Sequence, residues 1–244
     1  MKIRWLFMVL LAGLALQLYF VGRIALMAVL DPESTAFQRS EAYQIAQKPS
    51  PLAWRQQWVP YTALPDSLKR AVIASEDGSF VEHDGVDMMA LEKAWDKNVR
   101  AEQRATSGKP ASASHAAPVK TPKIIGGSTI TQQLAKNLFL SGERTLVRKG
   151  QELALTLMLE ALLSKQRILA LYLNSVEWGE GIFGAEAAAQ HYYRKPAAKL
   201  SALEAARLAV MLPRPKYFET RLNSGYLAAR ANTIVARMND VDIP

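Results

Sequence analysis

At 244 residues the chain has room for one domain or two small ones. It contains no cysteine, which excludes a disulfide framework, a thiolate nucleophile and a cysteine zinc site. The formal charge of +8 and pI of about 9.7 point to a polyanionic partner: nucleic acid, anionic lipid head groups or a diphosphate.

The N-terminus sets the first element. Trp5 to Gly22 carries no charge and one strongly polar residue, Gln17, and the apolar run resumes after Arg23 as Ile24–Leu30. About 20 helical residues cross a hydrocarbon core. Lys2 and Arg4 flank the start; Asp31 and Glu33 flank the end. The positive-inside tendency then puts the N-terminus in the cytoplasm and the remainder outside, with Arg23 snorkelling to the outer interface. A cleaved signal peptide is the competing reading. The stretch exceeds the usual apolar region of about 7–15 residues and lacks a clean A-x-A site. The expected organisation is a tip and transmembrane anchor at 1–30, a juxtamembrane segment at 31–66 and an outward-facing domain at 67–244.

Residues 31–66 read as mixed, punctuated by Pro49, Pro51, Pro60 and Pro65, with Trp54 and Trp58 expected near the membrane surface. A helix is predicted over 67–75. It leads into S-E-D-G-S-F-V-E-H-D-G at 75–85, where Glu76 and Asp77 follow the apolar run Ala71–Ala74. A carboxylate at the end of a buried segment suits an acid or base with a raised pKa. A second helix is predicted over 86–104, with Met88, Met89, Leu91, Ala94 and Trp95 on one apolar face.

Residues 104–123 are low in complexity, broken by Pro110, Pro118 and Pro122, and are expected to form a mobile insertion. Between 100 and 123, five basic residues face one acidic one, half of the net charge. A basic loop beside a membrane could hold anionic lipid, but a tolerated surface insertion is the better reading.

The remainder reads as helical. Ser128 or Thr129 can cap a helix running to about Leu140. Further helices are predicted over 145–164, 166–174, 185–193, from a capping box at Ser201–Glu204 to before Pro213, and over 226–238. Alternating strand patterns are scarce, so the domain is expected to be mainly α.

Two polar clusters accompany the acidic one. Gly126-Gly127-Ser128-Thr129 lets backbone approach a ligand closely and leaves free N–H groups at a helix start. Gln133, Lys136 and Asn137 then share one helical face, a set of donors and a cation suited to phosphate. An ordinary Gly-rich helix start explains the same residues. Next, Arg148, Lys149 and Glu152 stand at helical spacing ahead of a dense apolar run, either at a cleft entrance or as a surface ion pair worth a few tenths of a kcal/mol. His83, His115 and His191 form no metal-ligand pattern, and S-x-x-K, S-D-N and K-T-G are missing from the sequence, which removes a penicillin-type acyl-serine site.

Taken together, the ordered set resembles the peptidoglycan glycosyltransferases of family GT51, in particular the monofunctional biosynthetic transglycosylases of Gram-negative bacteria. Glu76, Asp77, Phe80, His83 and Gly85 match its E-D-x-x-F-x-x-H-x-G motif; Gly126 to Asn137 match the second, and Arg148, Lys149 and Glu152 the third, R-K-x-x-E. I-L-A-L-Y-L-N-S-V-E-W-G at 168–179 with G-I-F-G-A-E-A-A-A matches the fourth, and M-L-P-R-P-K-Y-F at 211–218 the fifth.

The resemblance implies a lysozyme-like α fold and elongation of glycan strands from lipid II at the bacterial inner membrane, with undecaprenyl diphosphate leaving. It implies Glu76 as general base, and Lys136, Arg148 and Lys149 as stabilisers of the diphosphate. Glu152, the second catalytic candidate, would orient those cations or help hold a divalent ion. Thr129, Gln133 and Asn137 would contact donor sugar or phosphate; Tyr172 and Asn174 would shape the cleft. Asp77, Phe80 and His83 join the substrate-binding set through the first motif, with Asp77 chiefly supporting its loop. No tightly bound cofactor is implied; a divalent cation, Mg or Mn, would accompany the diphosphate. Partners would be lipid II, the lipid-linked strand and proteins of wall synthesis or division, not nucleic acid. The 104–123 insertion departs from the family pattern and leaves acceptor-side geometry and processivity open. A glycoside hydrolase on the same fold and a membrane-tethered basic binding module are the alternatives. The cations near Arg148 argue against the first, since a hydrolase has no diphosphate to stabilise. The second leaves the glutamates idle.

Overall fold

A computed structural model describes residues 2–49, 54–107, 127–140 and 145–244. Most of the predicted insertion therefore lies outside the described residues. The chain opens with α1 (Lys2–Leu26) and α2 (Ala36–Ala46), followed by β1 (Arg55–Gln56). The domain proper is built from α3 (Asp66–Glu76), α4 (Met88–Ser107), α5 (Ile130–Phe139), α6 (Leu146–Leu162) and α7 (Lys165–Ser175). Strands β2 (Glu177–Gly179) and β3 (Ile182–Phe183) then precede α8 (Ala185–Tyr193), α9 (Ala202–Met211), α10 (Pro215–Phe218) and α11 (Gly225–Arg237). The mainly α expectation holds, and each predicted helix is found with ends shifted by a few residues.

Side-chain caps explain where several helices start. Thr129, not Ser128, caps α5 in a reciprocal box with Gln132, and Ser201 caps α9 with Glu204 in the same way. Thr145 and Ser164 each accept from a backbone N–H in the first turn of α6 and α7. Such caps are each worth about 1 kcal/mol. Within the core, α3 packs against α9 and α11, while α5 packs against α6, α2 and α7. Leu68, Val72, Leu134, Leu155, Leu169, Leu208 and Leu227 are fully buried at these contacts.

The sheet and helix α2 are not announced by the sequence. A three-stranded sheet of order β1-β3-β2 pairs β1 with β3 in parallel (Arg55 opposite Ile182) and β3 with β2 antiparallel. The predicted turn at 179–181 is its hairpin, with Gly181 at φ 70°. Strands of two or three residues are too short to show an alternating pattern.

Helix α1 is the one described helix long and apolar enough to cross a membrane, over Ile3–Leu26, with mean hydropathy 2.0. Its C-terminal end joins the domain: Ile24 and, just after it, Met27 are buried in the main core, and Phe20 meets Phe139 edge-on at 5.3 Å. Arg167 on α7 clamps the exit, donating to the carbonyls of Met27 (2.6 Å) and Leu30 (2.8 Å) and pairing with Asp31 (2.8 Å). Gln17 exchanges amide hydrogen bonds with Gln151 on α6 at 2.9 and 3.3 Å.

The apolar face expected on α4 changes, and both tryptophans of the juxtamembrane segment pack on protein groups. Trp54 packs on Phe183 at 4.6 Å and Trp58 carries the Arg167 guanidinium at 5.8 Å, so both rings are engaged by protein. Among the described side chains of α4 only Ala94 is buried; Met88, Met89, Leu91 and Trp95 are exposed, because no described element covers that side of the helix.

Candidate active site

Glu76 is the last residue of α3, half-buried where that helix meets the start of α5. Its Oε2 accepts from Gln133 Nε2 at 3.0 Å and its Oε1 from Ser75 Oγ at 3.4 Å. Burial pushes the Glu76 carboxyl above the ordinary carboxylate range, against the opposing pull of the Gln133 and Ser75 hydrogen bonds. A carboxylate raised in this way, yet still reached by donors, is suited to accept a proton near neutral pH.

The residues of the first motif divide by role. Asp77 is buried and joins two elements: its Oδ1 faces His83 Nε2 at 2.8 Å and its Oδ2 accepts the Ile130 N–H of α5 at 2.9 Å. Gly85 N–H donates to His83 Nδ1 at 3.1 Å, so in the neutral ring the proton sits on Nε2 and points at Asp77. Phe80 is fully buried beneath the Lys165 ammonium, 4.6 Å from the ring centre. Asp77, Phe80 and His83 thus hold the loop that presents Glu76 and do not themselves line the cleft wall as binding groups; Asp77 alone borders a cavity.

Gly85 shows how tightly that loop is fixed. It sits at φ +84°, its carbonyl accepts from Thr129 Oγ1 at 2.6 Å, and an added Cβ would lie 2.6 Å from Thr156 Cγ2. Gly85→Ala is expected to cost about 1–3 kcal/mol from the backbone alone. Thermal melts check this; a melting temperature equal to the parent's would contradict the fit.

Two cavities flank the Glu76–Gln133 pair. The larger, about 680 Å³, is lined on α5 by Gln132, Gln133, Lys136 and Asn137 and on α6 by Arg148, Lys149 and Glu152. The helical spacings in the sequence thus do converge on one cleft, and Phe37, Ser40, Glu41 and Gln44 of α2 close its far side. Three cations face two carboxylates, Glu41 and Glu152. Glu152 is buried and ion-pairs with Lys149 one helical turn away. The smaller cavity, about 270 Å³, contains Glu76 and Asp77, the Gly127-Ser128-Thr129 turn, and Lys93 and Lys97 of α4. Ser128 borders both cavities.

Three further candidates prove to be supports. Thr129 borders the smaller cavity, but its hydroxyl caps α5 and donates to Gly85. Tyr172 is fully buried and its hydroxyl donates to Gln133 Oε1 at 3.0 Å. Asn174 is fully buried, exchanging hydrogen bonds with both backbone groups of Val59 at 2.9 and 3.0 Å and donating to the Ala170 carbonyl. Tyr172 and Asn174 have no solvent-accessible surface, whereas Thr129 stays at the cavity edge.

One group of possible metal ligands occurs among the described residues, Asp77, His83 and Asp87, with ligand atoms within 4.8 Å of one another. Protein donors already use them. Asp87 accepts from Ser79 Oγ and from the Ala90 N–H at the head of α4, and both His83 nitrogens are committed as described. The cluster is a framework joint, and no cofactor is established by it.

Comparison with known proteins agrees with this geometry. The transglycosylase family model matches residues 44–239, most of the chain and all of both cavities' described walls except Phe37, Ser40 and Glu41. The chain belongs to the transglycosylase family. It is 52% identical over 233 residues to a biosynthetic peptidoglycan transglycosylase of Burkholderia thailandensis, covering 96% of this chain and 84% of that one. Proteins of the same description from Herminiimonas arsenicoxydans (48%, 98% and 96% covered) and Bordetella pertussis (48%, 97% and 91%) are also similar.

The transglycosylase domain contains site residues that sequence reasoning passed over. Lys93 and Lys97 stand four apart on α4 and face Glu76; attention to the apolar residues of that helix hid its basic face. Glu177, in the fourth motif, is buried beside Lys216, which ion-pairs with Glu41 of α2 and lies 3.7 Å from Glu177. Burial pushes the Glu177 carboxyl up to about 8, with Glu41 and Glu219 adding to the rise against the pull of Lys216. A carboxyl raised on folding contributes stability that is present below its unfolded value and lost as pH climbs through 8. Glu177→Gln is therefore expected to melt close to the parent at about pH 5 and above it at about pH 9. A gap in melting temperature that does not change with pH would overturn this.

Proposed function

We propose that this protein is a peptidoglycan glycosyltransferase that polymerises lipid II into β-1,4-linked strands, with Glu76 as the base. The observation that carries the reading is the position of Glu76: a raised carboxylate, held by Gln133, between a small cavity and a larger one lined by three cations. The smaller cavity suits the acceptor sugar and the larger one the lipid-linked donor and its diphosphate.

In this scheme Glu76 takes the proton from the acceptor 4-hydroxyl as that oxygen attacks the donor's anomeric carbon. The bond from that carbon to the diphosphate oxygen breaks, and the electron pair leaves with undecaprenyl diphosphate. Attack opposite the leaving group inverts the α-linked donor to a β-1,4 bond. Lys136, Arg148 and Lys149 stabilise the charge that builds on the diphosphate. Glu152 holds Lys149 in place through their ion pair. Because Glu152 is already paired, it offers a divalent ion little; Mg or Mn would come with the diphosphate oxygens, and none of these steps depends on it.

Helix α1 supplies the anchor. With Lys2 and Arg4 on the cytoplasmic side, the domain faces away from the cytoplasm, where lipid-linked substrate meets the growing wall. Because the chain lacks cysteine, one engineered at Ser224 gives a unique reporter. Labelling of that position in intact spheroplasts by a membrane-impermeant maleimide is expected; labelling only after lysis would reverse the topology. For the activity itself, incubation with labelled lipid II should yield polymer, whereas cleavage of preformed strands without polymer would favour a hydrolase.

A further inference from the structure

A buried hydrogen-bond chain runs behind Glu76. Tyr172 Oη on α7 donates to Gln133 Oε1 on α5 at 3.0 Å, and Gln133 Nε2 donates to Glu76 Oε2 on α3 at 3.0 Å. The two bonds are directional. An amide has one acceptor end and one donor end, and nothing in Gln133 alone decides which end meets the carboxylate. If the amide were turned, its oxygen would face Glu76, two acceptors in contact. The ionised carboxylate, an acceptor only, draws the N–H end of the amide, and the Tyr172 hydroxyl holds that orientation by donating to the oxygen end. Tyr172 has no access to solvent, and burial, with the negative charges of Glu76 and Asp77 added to it, holds the phenol well above its ordinary pKa. It therefore stays a donor throughout the working pH range.

We propose that Tyr172 is a positioning residue of the reaction: through the Gln133 amide it fixes the Glu76 carboxylate, with Oε2 held and Oε1 presented to the smaller cavity. The assignment rests on Glu76 being the base, as proposed above. It replaces the earlier expectation that Tyr172 shapes the cleft, since a fully buried side chain has no cleft surface to shape.

Other groups that set the charge state of Glu76 are accounted for. Ser75 donates to Oε1, Asp77 raises the carboxyl and Arg230 of α11 lowers it. Lys93, Lys97 and Asp87 face it across the smaller cavity. Removing the Tyr172 hydroxyl leaves all of these in place, so a change in the titration of Glu76 in Tyr172→Phe reports the Gln133 link.

The test is the pH dependence of lipid II polymerisation by the full-length protein and by Tyr172→Phe, Gln133→Ala and the double variant. The acid limb of kcat in Tyr172→Phe is expected to move up by about one pH unit, because the Gln133 amide that donates to the charged carboxylate is no longer held in place. Gln133→Ala should move it at least as far, and adding Tyr172→Phe to Gln133→Ala should move it no further. That non-additivity is the signature of one chain acting as a unit. If Tyr172→Phe lowers kcat at all pH values alike with the acid limb unmoved, or if the two substitutions simply add, Tyr172 acts by packing and the proposal fails. Glu76→Gln separates this from the reading beneath it: a Glu76→Gln enzyme that polymerises normally would remove the base itself, whereas loss of activity there with an unmoved Tyr172→Phe profile would remove only the positioning role.

Discussion

Glu76→Gln should fold, bind lipid-linked donor and lose polymerisation by about 10²–10⁴-fold, the contribution of a positioned base. The reason is local. The amide of glutamine fits the same space and can still meet Gln133 and Ser75, so the substitution removes proton acceptance more than shape. Asp77→Asn should behave differently, because Asp77 accepts the Ile130 N–H and the His83 ring proton and thus ties α3 to α5. Its loss should appear first in the melting temperature. Labelled lipid II assays with matched melting curves separate the two. A Glu76→Gln enzyme with normal turnover would leave the site without its base, and a thermally unchanged Asp77→Asn would undo the division between catalyst and support.

Lys136→Met should lower kcat by about 10²–10³-fold, the usual cost of removing one group that stabilises charge developing in the transition state. Lys136 shares its wall with Gln133 and Asn137 on α5 and faces Arg148 and Lys149 across about 680 Å³. Its cation counts most when the diphosphate leaves, so the effect should fall on kcat more than on KM. Lys136→Arg should recover only part of the rate, since the planar guanidinium keeps the charge but changes its reach and donor geometry. An effect confined to KM would mean that Lys136 binds the donor in its ground state and contributes nothing further at the transition state. A hydrolytic enzyme, lacking a diphosphate leaving group, would show no such dependence.

Much of this cleft could be read in the sequence because helices convert spacing into direction. Gln133, Lys136 and Asn137 fall on one face of α5, and Arg148, Lys149 and Glu152 on the facing turn of α6; the structure brings both sets to the same cavity. Glu76 was legible for a related reason, a carboxylate at the end of an apolar helix. Motif membership could not separate the wall from its supports. Phe80, Tyr172 and Asn174 belong to the same motifs as the cleft residues, yet all are fully buried, and burial depends on contacts far along the chain, such as Val59 with Asn174. Helix α2 escaped notice because the apolar residues of its sequence, A-F-Q-R-S-E-A-Y-Q-I-A, do not gather on one helical face; the domain holds it with Gln38, Glu41 and Ile45 buried. The ion pair from Lys216 to Glu41 fastens it to the other end of the sheet region, a pairing across 175 positions that no local pattern announces.

The central claim is that Glu76 stands between an acceptor cavity and a cationic donor cavity. A crystal structure of the full-length Glu76→Gln protein with a non-hydrolysable lipid-linked diphosphate sugar tests it most directly. The diphosphate is expected beside Lys136, Arg148 and Lys149 in the larger cavity, with the sugar's anomeric carbon turned toward residue 76. A diphosphate lodged instead beside Lys93 and Lys97 in the smaller cavity, with the larger one occupied only by solvent, would contradict the account.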